Sequence, residues 1–291
     1  MACSTKRRTK AEVDEIRSAI KDVLKADHPQ TVRQVFYQLV VRGVIEKTEK
    51  EYQGTVIRLL RDMRLSGEIL FDWIIDSSRI THETQTFDNL KDAVDQTARY
   101  YRRSAMRESS CYIELWCEKE ALAGIIWDVA GEYDVPVIVS KGMPSLTQLY
   151  GSFKNIYRAS DAGKECFLYQ FGDWDPTGCL VPEVIRDRMR WFCEKFDCTM
   201  PEVERFAITE DQIFLHDLPT RPTKRDGNTH ANKFEGDSVE LDALPSAVLR
   251  ELVRECIEYH ISPLQLAALR EAQESERQLL IKWGRGIPLS G

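Results

Sequence analysis

The stretch that most limits what this chain can fold into is Cys166-Phe167-Leu168-Tyr169-Gln170-Phe171, a run of β-formers leading straight into Gly172-Asp173-Trp174-Asp175-Pro176-Thr177-Gly178. Pro176 and Gly178 break the strand, and Ile185, Met189, Phe192 and Phe196 then recur at helical intervals. The pattern predicts a buried strand whose C-terminal end presents Asp173 and Asp175 into a crevice. Side chains two apart on an extended segment point the same way, so both carboxylates can reach one cation. Hard oxygen ligands with room for water suit Mg2+ better than Zn2+. A helix-capping Asp-Pro turn uses the same residue types, so the motif alone leaves both readings open.

Alternation of strand and helix around this run sets the fold class. Tyr112–Cys117 reads as a strand, followed by Glu118-Lys119-Glu120 and a helix with Leu122, Ile125, Ile126 and Val129 inward. Val135–Val139 reads as a second strand ending in Ser140-Lys141-Gly142-Met143-Pro144, and Phe206–Ile208 as a fourth. Such alternation indicates an α/β domain with a parallel sheet and right-handed crossovers. Glu118 then sits at the tip of the first strand, and Asp173 and Asp175 at the tip of the third. Ligand chemistry in open α/β sheets gathers at those tips, and three converging carboxylates favour a metal site over a plain turn. Leu218–Gly236 reads as a polar surface loop. Leu244-Pro245 opens a further helix, and a last amphipathic helix spans Leu264–Ile281.

Upstream, the chain reads as helical. The first ten residues are basic and polar, a frayed or DNA-contacting arm. Ala11–Lys25 forms an amphipathic helix, and Thr31 with Gln34 opens a second helix with a capping box, ended by Gly43. Tyr52–Leu65 is the third, with Arg58 and Arg61 on its polar side close to Arg64. Two short β-like runs, Glu68–Phe71 and Trp73–Ile75, complete a winged-helix pattern whose third helix suits a major groove. Exposed arginines on a helix are equally often a solvated face. On the second helix Arg33 and Tyr37 lie one turn apart and off the apolar stripe. That tyrosine is either a packing residue with a wet hydroxyl or a nucleophile, which would need a base, a cation or a polarised electrophile beside it. The domain division is residues 1–79, a helical connector over 80–108, and 109–291.

Composition adds bounds rather than an activity. At 43% hydrophobic and 30% charged residues, the 291-residue chain fits a soluble globular protein with room for about two domains. No apolar run reaches the length of a membrane span, and the N-terminus lacks the apolar core of a signal peptide. The eight cysteines show no paired metal-ligand spacing and read as reduced thiols of a cytoplasmic protein. The net charge of −7 divides unevenly: residues 1–107 carry 20 Lys+Arg against 16 Asp+Glu, leaving 20 against 31 for the remainder. A basic part joined to an acidic part is compatible with a DNA-gripping module attached to a metal-carboxylate module.

Five motifs, in order, carry a resemblance: Thr31-Val32-Arg33-Gln34-Val35-Phe36-Tyr37; Glu118-Lys119; Lys141-Gly142-Met143-Pro144; Gly172 to Gly178; and Val239-Glu240-Leu241-Asp242-Ala243-Leu244. Over roughly residues 28 to 261 the chain resembles the A subunit of topoisomerase VI and the related meiotic double-strand-break transesterase. The similarity is strongest to the stand-alone mini-A forms of mobile elements.

The resemblance implies an N-terminal winged-helix (CAP-like) domain carrying a nucleophilic Tyr37 assisted by Arg33. It implies a Toprim domain in which Glu118, Asp173 and Asp175 hold Mg2+, with C-terminal helices after it. It further implies a homodimer acting on double-stranded DNA, each tyrosine beside the partner's metal site, and breaks with 5′-phosphotyrosyl links. Arg58, Arg61 and Lys141 are the expected DNA contacts. Two positions depart from the family pattern, Phe36 where relatives often carry Tyr and the bulky Trp174 between the aspartates. No ATPase module is recognised, so ATP-coupled strand passage would need a separate GHKL-type subunit. The expected location is cytoplasmic, on the nucleoid or encoded by a phage or plasmid. The alternatives are a Toprim nuclease using water as nucleophile, or a non-catalytic DNA-binding scaffold.

Overall fold

The computed structural model describes residues 8–75, 86–107, 109–223, 234 and 236–286. The chain opens with α1 (Lys10–Ala26), started by a Thr9/Glu12 capping box and burying Ile16, Ile20, Val23 and Leu24 along one stripe. The capping box at Thr31 and Gln34 starts α2 (Val32–Val41) as the sequence predicts. The third helix, α3, is longer than expected. It begins at Glu49–Glu51 under a Thr48 cap, takes π hydrogen bonding over Tyr52–Ile57, and returns to α geometry over Arg58–Leu65.

The expected hairpin wing is corrected. After Gly67, at φ +75°, Phe71–Trp73 forms a 3-10 turn. Ile74 makes an isolated parallel bridge to Gln30: Gln30 N donates to Trp73 O at 3.0 Å, and Ile75 N to Gln30 O at 3.0 Å. The two runs are too short and too close, with Asp72 between them, to fold back on each other. Glu68 and Ile69 donate instead to Met63 O at the end of α3, and only the second run pairs with the approach to α2.

Helix α4 (Leu90–Tyr100) lies in the expected connector and packs along the C-terminal helix α10 (Pro263–Arg285). The expected N-terminal arm falls outside the described residues except at 8–10, as do residues 80–85 of the connector and most of the 218–236 loop.

The sheet is parallel and four-stranded, in the order β2–β1–β3–β4. Its strands are β1 (Cys111–Cys117), β2 (Val137–Val139), β3 (Glu165–Phe171) and β4 (Glu202–Ala207). The fourth starts earlier than the Phe206 expected, and the second is shorter. Crossover helices are α5 (Glu120–Ala130), α6 (Leu146–Asp161) and α7 (Val181–Phe196). They are followed by α8 (Glu210–Leu215) and α9 (Ser246–Glu258).

Strand alternation sorts the core onto two faces. Ile113, Leu115, Cys117, Tyr169 and Phe171 point to a cluster shared with α5, α9 and the N-terminal helices. Trp116, Cys166 and Leu168 point to a second cluster under α6 and α7. Each fully buried Leu, Ile or Phe stabilises by about 1.5–3 kcal/mol relative to exposure, which holds the strand tips in fixed register. Among the described residues no helix is long and apolar enough to cross a membrane.

Candidate functional site

β1 and β3 pair in register to their ends, with Cys117 opposite Phe171. The chains leaving them therefore run side by side. Glu118 N donates to Phe171 O at 2.9 Å, and Glu118 Oε2 accepts from Asp173 N at 3.0 Å. Two glycines make this approach possible: a Cβ on Gly172 would lie 2.7 Å from Glu118 Oε2, and one on Gly178 would lie 2.2 Å from Asp173 O.

Burial pushes the Glu118 carboxyl up to about 7, and the neighbouring Asp173 and Asp175 charges add to the rise. Asp173 is also raised, by burial first, against the pull of Lys119 and the Leu241 amide. Asp175 Oδ1 accepts from Thr177 N at 3.0 Å and Gly178 N at 2.7 Å. Asp175 therefore caps the turn, and its charge acts on Glu118.

The carboxylates do not emerge as neighbours on one extended strand, because β3 stops at Phe171. Among the described residues no group of three or more His, Cys, Asp and Glu side chains is drawn together as a ready metal cage. The donor set nevertheless fits a hard cation. One oxygen of each carboxylate, Glu118 Oε1, Asp173 Oδ2 and Asp175 Oδ2, accepts no hydrogen bond among the described residues. Carboxylate oxygens with space for water suit Mg2+.

Residues outside the expected set organise this region. Arg205 of β4 donates from Nε to Ile208 O, from one terminal nitrogen to Gln170 Oε1 and Gly178 O, and from the other to Gly172 O and Asp173 O. It ties the whole 172–178 turn to the sheet and lies 5.5 Å from the Trp174 ring centroid. Trp174 and Val239 exchange backbone hydrogen bonds at 2.8 and 2.9 Å, bringing in the 239–244 motif. Leu241 N then donates to Asp173 Oδ1 at 2.7 Å.

Lys119 Nζ reaches Asp242 at 2.5 Å, Asp173 at 3.0 Å and Glu240 at 3.4 Å. Burial opposes its charge, yet these three carboxylates hold its pKa above the ordinary lysine value. Lys119 was signalled only by adjacency to Glu118. Arg205 lies just before the expected strand Phe206–Ile208, and no local pattern signalled it.

The N-terminal helices close over this surface. Arg33 reaches Glu240 Oε2 at 3.3 Å, and its guanidinium sits 4.5 Å over the Tyr52 ring. A cleft of about 810 Å3 opens there, its lining including Arg33, Arg64, Lys119, Asp173, Arg221 and Glu240.

The Tyr37 expectation is corrected in part. Its side chain is not off the apolar stripe but 2% exposed within the core, with Phe36 edge-on at 5.4 Å and Lys47 Nζ 5.3 Å from the ring. Burial raises the phenol far above its ordinary value. Glu240 adds to the rise, while Lys119 and Arg33 oppose it. Its hydroxyl is therefore within electrostatic reach of the cleft charges although it does not line the cleft.

The three expected DNA contacts lie elsewhere. Arg58 and Arg61 are exposed on α3, Arg61 paired with Asp62, and neither lines the cleft, whereas Arg64 does. Lys141 is exposed at φ +49° and pairs with Glu120 at 2.9 Å. No protein-family model matches the chain, and no curated protein matches it.

Proposed function

We propose that this chain is a Mg2+-dependent DNA-cleaving transesterase of the type IIB topoisomerase A-subunit kind, acting on double-stranded DNA as a homodimer. The supporting observation is that Glu118 holds the Asp173 backbone at the strand tips with the Asp175 charge close enough to act on it, and that Asp173 lines a charged cleft together with Arg33 of the helix that also bears Tyr37. Glu118, Asp173 and Asp175 would hold the cation. Bound there, Mg2+ would polarise the scissile phosphate and stabilise charge on the departing oxygen.

Arg33 presents its planar donor fork to the cleft and would bind the same phosphate. Lys119 fixes the Asp173 carboxylate. Tyr37 Oη would form the new bond to phosphorus as the bond to the 3′ oxygen breaks, leaving protein on the 5′ end. Its proton would pass to water while the departing 3′ oxygen takes one up, and Lys119 and Arg33 are the cations whose charge favours the phenolate. The buried phenol also has to become accessible, which fits a tyrosine engaging the partner's acidic cluster on dimerisation with DNA. Strand passage driven by ATP would require the separate GHKL-type subunit.

The burial of Tyr37 favours one competing reading, a Toprim nuclease in which water attacks and Tyr37 only packs. Trapping on DNA with Mg2+ separates the two. Transesterification predicts a covalent adduct that Tyr37→Phe abolishes. Cleavage by Tyr37→Phe with free 5′ phosphates would establish the nuclease instead.

A further inference from the structure

The charge cluster in the cleft is arranged unusually for one whose only task is to hold the protein together. Glu240 is shared by three cations: Arg221 at 2.9 Å on Oε1, and Arg33 at 3.3 Å and Lys119 at 3.4 Å on Oε2. Lys119 is committed elsewhere, its shortest contacts being to Asp242 and Asp173. The two arginines are not. Each gives Glu240 a single contact from one terminal nitrogen, although a guanidinium carries five N–H donors in a planar fork suited to two-point binding of carboxylate or phosphate.

Both guanidinium groups are also prepositioned. Arg33 stacks on Tyr52. Arg221 is fixed through its backbone, which exchanges hydrogen bonds with Ser238 at 2.9 and 2.8 Å. About a third of each side chain remains accessible, 34% and 35%. The cleft they line is large enough for a sugar-phosphate unit.

We infer that Arg33 and Arg221 form a two-arginine clamp for one DNA phosphodiester, and that Glu240 occupies the clamp as an internal counter-ion which the phosphate displaces. The clamp rests on the DNA-cleaving reading for its ligand. What it adds is Arg221 as a phosphate-positioning residue and Glu240 as a brake on binding. A purely structural salt-bridge cluster predicts instead that Glu240→Gln lowers the melting temperature and that folded Arg221→Gln binds duplex with the parent's salt slope.

The test is binding of a fluorescein-labelled duplex oligonucleotide to the 291-residue chain, by anisotropy across a salt series in EDTA, so that no cleavage intervenes. Each phosphate contact contributes about 0.9 to the slope of log K against log salt. Arg221→Gln should weaken binding and flatten that slope by about 0.9. Glu240→Gln keeps the side-chain shape and should tighten binding several-fold with a steeper slope. Thermal melts show whether each variant is folded, and Arg221→Lys should restore the slope but not the full affinity, because a point charge lacks the fork.

Unchanged slopes in folded Arg221→Gln, or weaker binding by folded Glu240→Gln, would overturn the clamp. A clamp that passes while no tyrosyl adduct forms leaves the transesterase reading, not the clamp, in error. An adduct formed while both variants bind like the parent places the error in the clamp instead.

Discussion

Arg205→Lys isolates the side chain that shapes the acidic turn. The substitution retains the positive charge but replaces five hydrogen-bond contacts with an ammonium that has three donors. At least two of the acceptors on Gln170, Gly172, Asp173, Gly178 and Ile208 must therefore lose their partner. A hydrogen bond involving a charged group is worth about 1.5–3 kcal/mol, so two of them place the loss at about 3 kcal/mol or more.

For chains of 150–250 residues each kcal/mol moves Tm by roughly 2–4 °C, giving a fall of roughly 6–12 °C. Thermal denaturation followed by tryptophan fluorescence and circular dichroism measures it. Arg186→Lys provides the matched control. Arg186 donates one hydrogen bond, to Val203 O at 2.7 Å, and lysine can keep it, so its cost should stay below about 1 kcal/mol. Equal effects of the two substitutions would refute the assignment of Arg205 as the organiser of the turn.

Glu118→Gln should remove a pH-dependent weakness. The folded carboxyl sits at about 7 against an ordinary value near 4.5, so its favourable contribution is present below about 4.5 and lost as pH rises through 7. At about 1.36 kcal/mol per unit, the parent protein in EDTA should lose about 3 kcal/mol across that window relative to Glu118→Gln. Parallel melts at pH 5 and pH 8 test this, and an equal offset at both would contradict it. Mg2+ should stabilise the parent at pH 8 and not the variant, read as the metal-induced change in Tm. Gly178→Ala places a Cβ 2.2 Å from Asp173 O, so it should cost about 1–3 kcal/mol by overpacking and blunt the same Mg2+ response.

Much of the sheet was legible because β1 and β3 are rich in β-forming residues, with only Glu114, Glu165 and Gln170 interrupting them, and because glycine and proline punctuate the chain after β3. The capping box at Thr31 and Gln34 was equally plain, being a local pattern with a local cause. What failed was non-local. Nothing near Trp73 announces that its backbone carbonyl will accept from Gln30, so a wing was expected where a bridge formed. Tyr37 misled for the opposite reason: one more aromatic beside Phe36 widens the apolar stripe enough to bury it once the 239–244 segment docks. The acids Glu118, Asp173 and Asp175 could be placed from strand ends alone. Arg205, Glu240 and Arg221 could not, because their roles come from segments far apart in the chain meeting at the turn.

The pairing of Trp174 with Val239 bears on the order in which a newly made molecule would become hazardous. A ribosome-bound chain halted before Ser238 already carries all three acids and the tyrosine, yet lacks both the backbone pairing of Trp174 and the amide that seats Asp173. If the protein cuts DNA as proposed, fragments and unfinished products are thereby kept from damaging the genome. Competence arrives only when the last third of the polypeptide threads back beneath the first.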